Sequence, residues 1–244
     1  MEDGQLAIIL GNSAVVNGSS AHIPAENMAL DVMALNWGPY LWMRCYSNGA
    51  YFMDRILGER PDFAKLEKEA WELPPGSQGA MILPFLVSEP SLGIASPCLE
   101  WISPPHSEGE RYRACLEALA YLVALGVEEH RRAGQEIRTI TVSGGVAQSD
   151  LMCEILASVL DFPLQRLASG EGPALGAAVT ALHAMENYLQ KKEGAWADPP
   201  YTMTDAVQQM VRFRETVLPR ADWVGKYRVE KEHFQQRLQP HQKF

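Results

Sequence analysis

Residues 140–178 read ITVSGGVAQSDLMCEILASVLDFPLQRLASGEGPALGAA, and their glycines fall where chemistry would need bare main chain. Gly144 and Gly145 end a β-branched run. Without a Cβ, such a turn lets a flat ligand pack directly against the backbone. Ser149 could cap the helix that follows or bond a ligand, and capping alone accounts for it. Asp150 suits the positive end of that helix, yet it would repel a phosphate placed there. This turn therefore fits a nucleoside better than a γ-phosphate. A second bend, Glu171-Gly172-Pro173-Ala174-Leu175-Gly176-Ala177-Ala178, opens another helix. Pro173 suits a first turn, where its missing N–H is not needed. The small residues would also serve close packing of helix on sheet. Both bends at this spacing, within a strand, turn, helix, strand, helix unit, are more specific than either alone.

The elements that must hold these bends follow from periodicity. Residues 6–16, LAIILGNSAVV, predict two strands around a polar tip at Gly11, Asn12 and Ser13. Residues 28–36 predict a further strand. Apolar spacing predicts a helix over 40–57, against the SNG triplet in its middle. A surface helix is expected over 62–73, stopped by Pro74, Pro75 and Gly76. Residues 80–86 predict a strand, and 88–105, rich in Pro, Ser and Gly, an ordered loop. Ser107 followed by Glu110 has capping-box spacing at the head of a long helix to about residue 132. That helix would bury Cys115, Leu119, Leu122 and Val123. Strands at 139–142 and 163–167 bracket a helix from 148 or 149 to about 160. Helices are expected over 172–189, 204–212 and 222–238, the last with Trp223, Tyr227, Phe234 and Leu238 on one face. KKEGAWADPP, residues 191–200, reads as a linker. Strands alternating with helices favour an α/β layered architecture.

These motifs, in this order, resemble the C-terminal part of the FGGY carbohydrate kinases, with the xylulokinase members the most similar. SGGVAQS resembles the family's GG-x-A-x-S/N turn, GPALGAA its helix start, LGNS its phosphate-binding LGTS hairpin, and ILPFLVSEP its PYLSGERTP loop. The resemblance implies an α/β fold: one RNase H-like half of an actin-like ATPase, a mixed sheet flanked by helices. It implies ATP, with Mg2+ held mainly by the nucleotide phosphates, and a ketose such as D-xylulose as acceptor. Gly11, Asn12 and Ser13 would lie beside the phosphates. Gly144, Gly145, Gln148 and Ser149 would cup the adenosine. The family's general-base aspartate precedes the LGTS hairpin and is expected upstream of Met1, as is the sugar-binding N-terminal half. Residues 1–244 are thus expected to be the nucleotide-binding domain alone, inactive without that half. Asn12 stands for the family's threonine, Ser158 for the aspartate of its LAD, and Gln148 where an arginine is common. Glu89 remains in SEP, but the neighbouring arginine does not. These departures leave a second reading, a non-catalytic nucleotide-binding or regulatory module. A homodimer is possible by family habit.

Composition sets the outer limits. The formal charge of −9 argues against a nucleic-acid partner, which needs a clustered basic surface. No apolar run reaches the ~20 residues of a membrane span, and MEDGQLAIIL lacks the basic region of a signal peptide. The cysteines (Cys45, Cys98, Cys115, Cys153) form no CxxC pair and read as buried hydrophobes in a reduced, cytoplasmic setting. The histidines form no HxxxH pair, so no metal site built from protein ligands is expected. Trp37, Trp42 and Phe85 read as core, or as a sticky face turned toward the absent half.

Overall fold

A computed structural model describes residues 4–24, 30–35, 37–192 and 200–243. Two strands, β1 (Gln5–Leu10) and β2 (Ala14–Ser20), pair antiparallel around the 11–13 tip. Then come β3 (Asp31–Ala34), β4 (Tyr40–Tyr46), α1 (Tyr51–Leu57), α2 (Phe63–Trp71), β5 (Met81–Phe85), β6 (Cys98–Ser103) and α3 (Glu108–Arg132). The C-terminal part adds β7 (Thr139–Ser143), α4 (Asp150–Leu160), β8 (Leu164–Leu167), α5 (Gly172–Lys192), α6 (Met203–Met210), β9 (Phe213–Val217) and α7 (Ala221–Leu238). Seven strands form one sheet in the order β3-β4-β2-β1-β7-β8-β9, and β5 and β6 form a separate pair. The pairs β1–β7 and β7–β8 are parallel; β1–β2, β2–β4, β3–β4 and β8–β9 are antiparallel. At its centre the order β4-β2-β1-β7-β8 is the RNase H-like arrangement, three antiparallel strands continued by two parallel ones.

Alternation along β1 buries Leu6, Ile8 and Leu10 and leaves their neighbours half-buried. That buried face carries α3, a 25-residue helix about 37 Å long at 1.5 Å per residue. Being enclosed on most sides, α3 buries far more than one stripe. Besides the four residues expected from its pattern, Tyr112, Leu116, Tyr121 and Val127 are buried, as are Arg113 and Glu117. Each fully buried Leu or Val contributes about 1.5–3 kcal/mol relative to exposure. The two charges are tolerated because they are paired and fully bonded. Arg113 Nε donates to Glu117 Oε1 at 3.0 Å, Nη1 to Ala70 O at 3.0 Å and Nη2 to Tyr227 Oη at 2.8 Å. Glu117 also accepts from Gly76 N, Ser77 Oγ and Tyr227 Oη. This network ties α2, α3 and α7 together, and the expected face of α7 (Trp223, Tyr227, Phe234, Leu238) lies in the core.

Several expectations are corrected. Residues 40–46 form a strand, not the start of a helix. Trp42, Arg44 and Tyr46 face inward at period two, and the helix begins only after the SNG triplet. Arg44 obscures that pattern, because it is a charge on the buried face, paired with Glu129 at 2.7 Å. Asn48 of the triplet is 1% exposed and satisfied by Val87 N, Val87 O and Glu89. The 88–105 segment contains β6, and β9 follows α6 where no strand was expected. Ser107 Oγ caps Glu110 N, but the Glu110 carboxylate accepts from His106 N instead of Ser107 N, so the box does not close on itself. Within the strand expected at 28–36, Asp31–Ala34 is extended, and residues 28, 29 and 36 lie outside the described set. Most of the expected linker, residues 193–199, does too. Trp42 and Phe85 are core, whereas Trp37 is exposed. Cys115 and Cys153 are buried as expected; Cys45 and Cys98 are only half-buried.

Candidate nucleotide site

The 11–13 tip and the Gly144–Gly145 bend leave the same end of neighbouring parallel strands. The register pairs Ile9 of β1 with Ser143 of β7, so the 11–13 tip and the 144–149 turn emerge side by side. Gly144 has φ +101, and a Cβ there would stand 2.3 Å from Leu10 O. Glycine is required on both counts, since the residue lies flat against the end of β1. Gly145 is the opposite case: its backbone is right-handed, and an added Cβ would meet nothing within 4 Å. A 3-10 turn, Val146–Gln148, then leads to Ser149 and α4.

Between the 11–13 tip and the 144–149 turn lies a cleft of about 600 Å³, to which the 171–178 bend contributes no lining residue. Leu10, Gly11 and Asn12 line one side and Gly145, Val146, Gln148 and Ser149 the other. Ala50, Met53 and Asp54 of the α1 region, Phe63 and Glu67 of α2, and Tyr112 of α3 complete the wall. Five of the expected residues (Gly11, Asn12, Gly145, Gln148, Ser149) thus share one hollow. Gly144 and Ser13 stand behind it. Gly144 is packed on β1, and Ser13 O accepts the Gly11 N–H at 3.1 Å, closing the tip. The tip is also pinned from outside: Ala50 N donates to Gly11 O at 2.8 Å and Gly49 N to Asn12 O at 2.9 Å.

Ser149 acts as the cap that its position suggests. Its Oγ accepts from Met152 N at 3.0 Å and donates to Glu67 Oε1, also at 3.0 Å. Glu67 Oε1 additionally accepts the Leu151 N–H at 3.1 Å. A carboxylate from α2 therefore already sits at the positive end of α4, where an anionic ligand would otherwise be drawn. Nothing local in the sequence marks Glu67; it reaches α4 only through tertiary packing. Tyr112, likewise missed, has its hydroxyl pushed up to about 12, first by burial and then by the Glu67 charge, so it stays protonated as a donor. Asp150 turns aside to Arg166. This part of the wall is neutral to acidic, and it suits ribose hydroxyls and a base better than phosphate.

The other departures lie outside the cleft lining. Ser158 Oγ donates to Glu154 O at 2.7 Å and accepts from Arg220 N at 3.0 Å, joining α4 to the start of α7. Glu89 is buried under Asn48 and Ser91. The second bend packs closely at one point only: a Cβ on Gly172 would be 2.5 Å from Ser143 Oγ, while one on Gly176 would meet nothing. Of α5, only Val179 is buried, so the small residues do not serve the extended helix-on-sheet packing expected of them.

A sequence profile described as the FGGY family of carbohydrate kinases, C-terminal domain, matches residues 57–185, more than half of the chain. The chain belongs to the FGGY family. Among curated FGGY kinases, the xylulose kinase of Bacillus subtilis is 24% identical over 178 residues, covering 72% of this chain and 33% of that protein. The crystal structure of xylulose kinase from Rhodospirillum rubrum superposes with a TM-score of 0.80 at 23% identity, over 98% of this chain and 48% of that one. A Plasmodium falciparum glycerol kinase solved with ADP superposes at 0.73 and 12% identity, over 100% of this chain and 48% of that one. The fold is therefore that of the actin-like sugar kinases, and the chain spans a third to a half of the length of these three relatives. Among the described residues, no helix is long and apolar enough to cross a membrane.

Proposed function

We propose that the cleft between the 11–13 tip and the 144–149 turn binds the nucleotide of ATP, and that the chain is the nucleotide-binding half of a cytoplasmic sugar kinase. The observation that carries this reading is the meeting of the 11–13 tip and the 144–149 turn in one hollow of about 600 Å³, within the usual size of a cofactor pocket. The nucleoside would lie against Gly145, Gln148 and Ser149, where the main chain is open and the wall uncharged or acidic. Its ribose hydroxyls have Glu67 and Tyr112 as partners. The triphosphate would run toward the 11–13 tip. Of the loop amides, that of Gly11 is already given to Ser13 O. Phosphate oxygens would therefore be met by the amide and the side chain of Asn12, which lines the cleft. Mg2+, carried by the phosphates, would neutralise charge near Asp54.

Phosphoryl transfer depends on positioning and charge stabilisation more than on covalent chemistry. This half orients the donor. A sugar-binding half, with an aspartate as general base, would orient and deprotonate the acceptor hydroxyl. General base catalysis contributes about 10²–10⁴ in rate and positioning more, so residues 1–244 alone are expected to bind but not turn over. D-xylulose is favoured as acceptor by the names of the relatives. The regulatory reading loses one of its supports, because Ser158 has a structural role away from the cleft.

Calorimetry and thermal shift with Mg-ATP test the nucleotide site. Saturable binding with a raised midpoint is expected, and no heat at millimolar Mg-ATP would refute it. Co-expression with a family N-terminal half, followed by assay on D-xylulose, tests the kinase assignment separately.

A further inference from the structure

Cys98, Glu100 and His241 meet beside a surface cavity that shares no lining residue with the nucleotide cleft, and we propose that they form a site for a thiophilic divalent cation of the Zn2+ class. One ligand atom from each lies within 4.8 Å of the others. Cys98 Sγ is 3.2 Å from His241 Nδ1 and 3.9 Å from Glu100 Oε2. In a tetrahedral site with Zn–S near 2.3 Å and Zn–N or Zn–O near 2.0–2.1 Å, neighbouring ligand atoms stand about 3.5 Å apart. The observed separations straddle that value. A cation can therefore be seated by small side-chain rotations.

The framework beneath the ligands is already fixed. Cys98 and Glu100 are at i and i+2 on β6, so both project from one face of the strand. His241 ends the 3-10 turn after α7, and the tail beyond it is stitched to the 92–94 loop. Gln242 bridges to Ile94, Gln242 Nε2 donates to Leu92 O at 3.0 Å, and Lys243 N donates to Gly93 O at 2.8 Å. These bonds hold His241 opposite β6 without any help from a metal. The ligands adjoin a surface cavity of about 530 Å³, which leaves room for water at a fourth position. A thiolate, an imidazole and a carboxylate are a soft-to-borderline set; Mg2+ and Ca2+ prefer oxygen alone. Lys243 also lines the cavity and opposes a cation, while Glu100 and the thiolate together outweigh it. Sequence spacing hides the site, since Cys98 and His241 are 143 residues apart and no CxxC or HxxxH pair marks it. A bound cation would clamp the C-terminal tail to β6.

The test uses the full 244-residue chain, stripped with chelator and titrated with Zn2+ and with Co2+. One equivalent of Zn2+ should bind at micromolar concentration and raise the thermal midpoint. The Co2+ form should show a thiolate-to-cobalt charge-transfer band. Cys98→Ser should abolish the band, while Cys45→Ser, checked alongside by circular dichroism, should keep it. His241→Ala should weaken Zn2+ binding by about 100-fold or more, because even outer-shell changes cost 10–100-fold. Absence of uptake, a cobalt spectrum without the band, or a band that survives Cys98→Ser overturns the proposal.

Discussion

Gly144 and Gly145 are neighbours in sequence, yet the structure gives them opposite sensitivities. At Gly145 the backbone is right-handed and a new Cβ meets no atom within 4 Å. Replacing glycine by alanine at a compatible site stabilises by about 0.4–1 kcal/mol, through the lost entropy of the unfolded chain. For a chain of this size 1 kcal/mol moves the midpoint about 2–4 °C, so Gly145→Ala should melt roughly 1–4 °C higher. Gly144→Ala should do the reverse. A positive φ in a non-glycine residue costs about 1–3 kcal/mol. The 2.3 Å approach to Leu10 O adds a clash with backbone that cannot rotate away. A midpoint lower by about 6 °C or more is expected. The nucleotide reading adds a second axis, for which Gly145→Leu is the probe. Its Cβ would meet no protein atom within 4 Å, and the longer side chain is expected to take up space at the cleft edge. At 100 times Kd, Mg-ATP should stabilise the wild type by about 2.7 kcal/mol, or roughly 5–11 °C, and the Gly145→Leu variant by little. Differential scanning fluorimetry with and without Mg-ATP reads both axes. A Gly145→Leu chain that melts like wild type and keeps the full ligand shift would show that this turn does not border the nucleotide.

Three further outcomes follow from the same contacts. Ser149→Ala removes the α4 cap and the partner of Glu67 and should lower stability by about 0.5–2 kcal/mol in urea titration, with a smaller effect on Mg-ATP binding than Gly145→Leu. Arg113→Met strands the buried Glu117 and should cost about 3–5 kcal/mol, while the double variant Arg113→Met with Glu117→Leu should recover most of it. His130 lies with Nδ1 2.7 Å from Gln135 Oε1 and Nε2 3.1 Å from Val16 O, but burial outweighs both contacts and lowers its pKa. As pH falls below about 6.5, the unfolded chain takes up this proton first, so stability contributed by the neutral ring is present above that pH and lost below it. His130→Gln should flatten that part of a denaturation-versus-pH series, and an unchanged slope would assign it to other groups.

The glycine bends were legible because a turn at a strand end needs glycine for local reasons, and local reasons are written locally. The same holds for β1 and α7, whose periodicity reports a single buried face, and for the Ser149 cap of α4, a helix buried nearly all round. β4 was hidden by Arg44, since the inward register carries a charge whose partner, Glu129, lies 85 residues away. β6 and β9 were hidden because neither buries a clean alternate set; β9 is exposed along nearly its whole length. At the cleft, the residues on the two loops were found and those on the helices were not. Glu67 and Tyr112 reach the site through packing of α2 on α3 and of α3 on α4, and no spacing within either helix announces it.

The side-by-side exit of the 11–13 tip and the 144–149 turn has a mechanical corollary. Adjacent strands are held about 4.8 Å apart by their ladder, and β1 and β7 are hydrogen-bonded up to Ile9 and Ser143. The gap separating the tip from the turn is thereby a rigid gauge, cut by main-chain pitch and indifferent to side-chain choice. If the hollow widens or narrows during a working cycle, the travel must come from the helical wall and not from the spacing of these two strands.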